Sequence, residues 1–239
     1  VRAVAVVVPA RDEEHELPGC LRALAAAAEQ VTPAGIAVTV VVSADSCRDR
    51  TAAVAAAHGV RVVESDGGTA GSARAAGFDA VLPALAGLPV LPGTEGLWLA
   101  TTDADSRVPA SWLTRQLDWA ARGWDAVAGT VAVTDWSGQP PGVREEFEAR
   151  YYAWRGTSPH VHGANLGFSA AAYVEVGGFK PLAVGEDWAL VEAMETAGRR
   201  VLRTPDLCVV TSARRDFRAP AGFGRDLREL AGTDENFGA

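Results

Sequence analysis

The chain has 239 residues, 48% of them hydrophobic and 22% charged, which suits one α/β domain with a substantial core. Thirty acidic residues against 22 basic ones give a net charge of −8, which argues against nucleic-acid binding, since that binding runs on phosphate neutralisation by Lys and Arg. The sequence has no apolar run of the length that spans a bilayer, and Cys20, Cys47 and Cys208 form neither a CxxC pair nor a metal-ligand spacing; the expectation is a reduced cytoplasmic protein, at most peripheral to a membrane, with no transmembrane segment.

Residues 3–8 are a continuous apolar run suited to a strand buried on both faces, and Pro9 ends it. The start therefore reads as a core strand and not as a signal peptide. Residues 17–30 carry Leu17, Cys20, Leu21 and Leu24 at helical spacing. A second strand is expected over 37–42, a short Ala-rich helix over 51–58 closed by Gly59, and a third strand over 60–64. A helix over 71–82, a strand over 97–101, a helix over 111–122 with Ser111 as N-cap, and a strand over 126–133 follow. Residues 83–96, rich in Pro and Gly, read as a surface loop. Residues 142–155 and 187–197 read as helices, 159–168 as irregular, and the tail after Ala219 as Gly- and charge-rich with disorder expected in its last residues.

This alternation predicts a mostly parallel sheet with helices on both faces. In such sheets ligands bind outside the carboxyl ends of the strands. The polar segments there are 11–14, 43–49, 65–71 and 103–106. Asp103-Ala104-Asp105 places two carboxylates at one strand end, where a divalent cation would relieve their repulsion; a solvated acidic turn explains them equally well when they are taken alone. Glu186 and Asp187 open a helix, which suits a first-turn carboxylate or a general base. His162, Gly163, Ala164 and Asn165 read either as a tight backbone beside a ligand or as a structural turn. Trp136, Tyr151, Tyr152, Trp154 and Trp188 are candidates for stacking on sugar faces, with core positions the default.

In this order, VVVPARDEE, VVSADSCRDRT, GTAGSARAAGFDAV, TTDADS, HGANLGFSAAAYVEVGGF and GEDWAL resemble the motifs of family-2 glycosyltransferases of the GT-A fold, from about Val4 to about Ser212. The resemblance implies an α/β fold with a Rossmann-like, mostly parallel central sheet. It also implies a single domain over 1–239, divided into a nucleotide-binding half (1–106), an acceptor and catalytic half (107–218) and a tail (219–239). It implies a nucleoside-diphosphate sugar donor, a UDP- or GDP-sugar, and a small-molecule, glycan or lipid-linked acceptor. Pro9, Ala10, Arg11 and Glu13 would line the nucleoside pocket, Asp45 would pair with the base, and Arg74 would lie near the diphosphate. Asp103 and Ala104 would contact the donor, and Asp105 with Asp103 would hold Mg²⁺ or Mn²⁺. Asp187 would be the base of an inverting displacement, with Glu186, His162, Gly163, Ala164 and Asn165 at the sugar and acceptor.

The pattern departs from the family in two places. Many relatives place a late His as a third metal ligand, but His15, His58, His160 and His162 all precede Asp187. Ala44 stands where relatives often carry an Asp. The segment 211–215, with Arg214 and Arg215, would bring cations to the diphosphate or form a solvated turn. Two rivals share such a site. A nucleotidyltransferase would need a Gly-rich basic loop after the first strand, where ARDEE is acidic and Gly-free. A non-catalytic sugar-nucleotide-binding protein would have no need of Asp103, Asp105 and Asp187.

Overall fold

The computed structural model describes residues 1–87, 94–153, 160–216 and 223–233. Seven strands form one sheet: β1 (Ala3–Ala10), β2 (Ala37–Asp45), β3 (Arg61–Ser65), β4 (Leu97–Thr101), β5 (Ala126–Val133), β6 (Leu166–Ser169) and β7 (Val201–Thr211). They lie in the order β3-β2-β1-β4-β6-β5-β7. β6 is antiparallel to β4 and β5, and the other pairings are parallel.

β1 lies inside the sheet between β2 and β4, and its apolar run serves two cores at once. Val4, Val6 and Val8 face Leu17, Leu21 and Leu24 of α1 (Leu17–Glu29) and Trp112 and Leu113 of α4 (Trp112–Ala121). Ala3, Ala5 and Val7 face Phe78 and Val81 of α3 (Ala70–Ala86) and Leu190, Val191 and Met194 of α7 (Glu186–Thr196). Burial on both faces explains why the strand lacks hydrophobic alternation. On these faces also lie α2 (Thr51–Ala57), through Ala55, and α6 (Ala170–Glu175), through Ala172 and Tyr173.

Several elements differ from expectation. β6 forms within the segment read as irregular, and β7, absent from the predicted elements, pairs along β5 with a register shift between Ala128 and Thr130. The helix expected to end at 82 continues through Pro83 to Ala86; Pro83 lies on the exposed side, where a missing N–H costs least. Ser111 is at the N-cap of α4, but its side chain makes no capping bond. The tail contains α8 (Phe223–Thr233), whose Leu227 and Leu230 are buried with Phe147 and Tyr151 of α5 (Val143–Tyr151). The helix expected over 142–155 ends at Tyr151, with Tyr152 and Ala153 outside it; Trp154 and Arg155, residues 88–93 of the expected loop, and 219–222 and 234–239 of the tail lie outside the described residues.

Candidate active site

The carboxyl ends of β1, β2, β4 and β7 open on a cavity of about 540 Å³, and α3 and α7 point their first turns at it. Because β6 runs against its neighbours, the residues just before it, Gly163 and Ala164, reach the same edge. Pro9, Ala10, Arg11, Glu13, Asp45, Arg74, Asp103, Ala104, Asp105, His162, Gly163, Ala164, Glu186 and Asp187 all line the cavity.

Asn165 does not line it. Its side chain is fully buried and donates to the carbonyls of Thr130 and Leu207, each at 2.8 Å, while its Oδ1 accepts from Trp112 Nε1 at 2.9 Å. It pins β5, β7 and α4 together from behind the cavity, which corrects its expected place at the sugar. Tyr151 likewise belongs to a core: its hydroxyl accepts from the Val131 N–H at 3.0 Å and lies 2.8 Å from His162 Nε2. Among the described stacking candidates it is Trp188, 45% exposed, that lines the cavity, with the Arg203 guanidinium 4.9 Å from its ring centroid.

The early loops hold each other in shape. Asp49 accepts from the Thr51 N–H at 2.9 Å and from the Glu14 N–H at 3.0 Å, and Thr51 Oγ1 accepts from the Glu13 N–H at 2.7 Å. Asp12 and Ser46 both adopt positive φ, 54° each, a conformation that Asp tolerates better than most residues. Asp45 is buried and accepts from Ser65 Oγ and from the Gly68 N–H, each at 2.8 Å. Its carboxylate thereby ties β2 to the loop leading into α3.

Two arginines organise the acids. Arg74 is buried; it donates to Thr101 Oγ1 at 3.1 Å and Asp103 Oδ1 at 2.6 Å, and pairs closely with Glu186. A Cβ at position 163 would collide with that guanidinium, so glycine is required there for Arg74 to pass. Arg214, just past β7, pairs with Glu13 and lies 3.3 Å from Asp105 Oδ2. Six carboxylates face the cavity against three guanidiniums, including that of Arg11 at the rim. Burial, and then the charge of Asp103, pushes Asp105 up to about 7 despite Arg214. Burial, and then Glu186, likewise raises Asp187. Asp187 Oδ2 accepts from the Gly163 N–H and Oδ1 from the Trp188 N–H, each at 2.8 Å, which fixes the carboxylate while a lone pair on each oxygen stays open.

This excess of negative charge fits a divalent cation at Asp103 and Asp105. One or two carboxylates, with phosphate oxygens and water completing the shell, are what Mg²⁺ usually takes in phosphate-binding sites. The one cluster of three such ligand atoms among the described residues, Asp12 with Cys47 and Asp49, is in the early loops, where Asp49 is occupied by backbone hydrogen bonds.

A mostly parallel sheet with acidic residues at its carboxyl edge and a helix-opening Glu-Asp pair is the arrangement of the GT-A nucleotide-sugar transferase fold. The chain belongs to glycosyl transferase family 2, whose profile matches residues 5–177. It is similar to S. aureus TarS 1–349 in complex with UDP-GlcNAc (TM-score 0.63, 15% identity, 95% of this chain and 64% of that one). The mannosyltransferase PcManGT from Pyrobaculum calidifontis, in complex with GDP-Man and Mn²⁺, superposes with TM-score 0.57 at 21% identity over 89% of this chain and 57% of that one. Glucosyl-3-phosphoglycerate synthase from Mycobacterium tuberculosis, in complex with Mn²⁺, UDP and phosphoglyceric acid, gives TM-score 0.57 at 14% identity over 97% of this chain and 75% of that one. The chain thus spans less than two thirds of the first two structures. No curated protein sequence matches it.

Proposed function

We propose that the chain transfers a sugar from a nucleoside-diphosphate sugar, a UDP- or GDP-sugar, to an acceptor hydroxyl, inverting the anomeric centre. The observation that carries this reading is the pairing, in one cavity, of Asp187 with the Asp103-Ala104-Asp105 edge. The nucleoside lies against Pro9, Ala10, Arg11 and Glu13, with Asp45 toward the base. Family membership and the UDP- and GDP-sugar complexes of similar structures support this donor class.

Asp187 takes the acceptor proton while the hydroxyl attacks the anomeric carbon and the bond to the diphosphate breaks on the opposite side. Burial and the neighbouring Glu186 raise the pKa of Asp187, which makes it a stronger base than an ordinary aspartate, and its two backbone N–H donors hold it in one orientation. Glu186, held by Arg74, faces the acceptor side together with His162, Gly163 and Ala164. Asp105 and Asp103 would hold Mg²⁺ or Mn²⁺, which supplies positive charge to the departing diphosphate. Mn²⁺ or Mg²⁺ in similar structures supports this.

The test is turnover of Asp187→Asn in a screen of NDP-sugars read by mass spectrometry for NDP release. Turnover should fall by roughly 10²–10⁴, the scale of a positioned acid–base group, in protein shown by circular dichroism to be folded. Near-normal turnover rules out Asp187 as the base.

A further inference from the structure

We propose that Arg214 is the guanidinium that receives the donor diphosphate, held ready by Glu13 until the donor arrives; this rests on the nucleotide-sugar reading above.

The arginine that the family resemblance puts at the diphosphate is Arg74, and its side chain is already committed. All three of its nitrogens donate to protein acceptors, namely Thr101, Glu186 and Asp103, and its side chain is 3% exposed. Moving it would leave two carboxylates facing each other with no cation between them, a costly arrangement in a buried site. Arg11, at the rim, makes only a long contact with the Gly68 carbonyl at 3.5 Å. Arg214 differs from both. Its side chain is 23% exposed, and it reaches into the cavity between Glu13 and Asp105.

Its placement is built into the fold. The end of β7 is tied to the Asp103–Asp105 segment by Ser106 Oγ to Thr211 Oγ1 at 3.0 Å, and by the Arg107 N–H to the Val210 carbonyl at 2.7 Å. Gln139 Nε2 donates to the Ala213 carbonyl at 2.5 Å, and the Arg214 N–H to Ser212 Oγ at 3.2 Å. The backbone that leads from β7 to Arg214 is thus held in place.

Among the described residues its hydrogen bonding is incomplete. Nη1 donates to Glu13 Oε2 at 2.6 Å, and Nη2 pairs with Glu13 Oε1, but Nε is buried with no partner among the described residues. A buried donor without an acceptor is costly and calls for an explanation. A diphosphate offers several acceptor oxygens in the geometry a guanidinium fork matches. The two carboxylates of the Asp103-Ala104-Asp105 segment are then served differently. Asp103 has Arg74 as a permanent partner at 2.6 Å, while Asp105 has Arg214 at 3.3 Å, a looser contact that a diphosphate can share.

The experiment is calorimetry on wild type, Arg214→Gln and Arg214→Lys, with saturating Mn²⁺, titrated with uridine and UDP and with guanosine and GDP. For the base that binds, the glutamine variant should weaken the diphosphate roughly tenfold to a hundredfold, the range for a lost charged hydrogen bond, and leave the nucleoside unchanged. The lysine variant, which keeps the charge but not the fork, should lie between wild type and glutamine. Equal weakening of nucleoside and diphosphate means that Arg214 only supports the pocket and overturns the inference, as does an unchanged diphosphate affinity. If the glutamine variant does not fold, the lysine variant decides on the same two readings. Wild-type protein that binds neither diphosphate removes the donor reading itself, a result distinct from a variant that binds like wild type.

Discussion

Asn165 and Arg74 are the residues whose chemistry the sequence leaves most open. An Asn between two glycines reads as a ligand contact, yet all the polar atoms of its amide are bonded to protein groups. Asn165→Leu keeps the volume and orphans the Trp112 Nε1–H and the Thr130 and Leu207 carbonyls. It should cost roughly 3–5 kcal/mol of stability, measured by denaturant unfolding, while the folded fraction keeps its nucleotide affinity. A stable variant that loses donor affinity would return Asn165 to the cavity. The family resemblance implied a diphosphate contact for Arg74, but its partner Glu186 is 112 positions away in sequence and is joined to it only by packing α3 against α7. Arg214 was visible only as one of two arginines in a polar segment, because its meaning depends on Glu13, 201 positions away.

At the scale of elements, the strongly patterned ones were readable and the context-dependent ones were not. β1 and β4 are apolar runs with one interpretation each; β4 has its expected bounds, while β1 is not ended by Pro9 but runs through it to Ala10. β6 is four residues containing a glycine, and only the slot between β4 and β5 makes it a strand. β7 contains Pro205 and Asp206, which mask it as a loop until its pairing with β5 is seen. The junction of α5 with the turn before β6 has a consequence for pH. Burial, and then His160, holds His162 down to about 4, and its Nε2 lies beside the Tyr151 hydroxyl. In the unfolded chain a histidine titrates near 6.5, so between about pH 6.5 and 4 the unfolded state binds the extra proton. Stability should therefore fall as pH drops through that window. The fall should be shallower in His162→Gln, measured by denaturant unfolding at stepped pH; equal slopes would mean that His162 titrates normally in the folded protein.

For the whole molecule, the sheet does what a doubly wound α/β sheet is suited to do: it delivers loops from distant parts of the chain to one edge. That rule, applied to the order of strands and polar loops, located most of the cavity before any contact was known. It did not reveal the charge arrangement, because six carboxylates and three guanidiniums converge only in three dimensions. The excess of negative charge makes a strong demand on any anionic donor: a cation must come with it. No described helix is long and apolar enough to cross a membrane. The central claim, that this cavity takes a nucleoside-diphosphate sugar with a divalent cation, is tested most directly by calorimetry of the wild-type protein with UDP and with GDP, each in Mn²⁺ and in EDTA. One of the two nucleotides should bind, and more tightly with Mn²⁺; failure of both to bind in either condition would contradict the account.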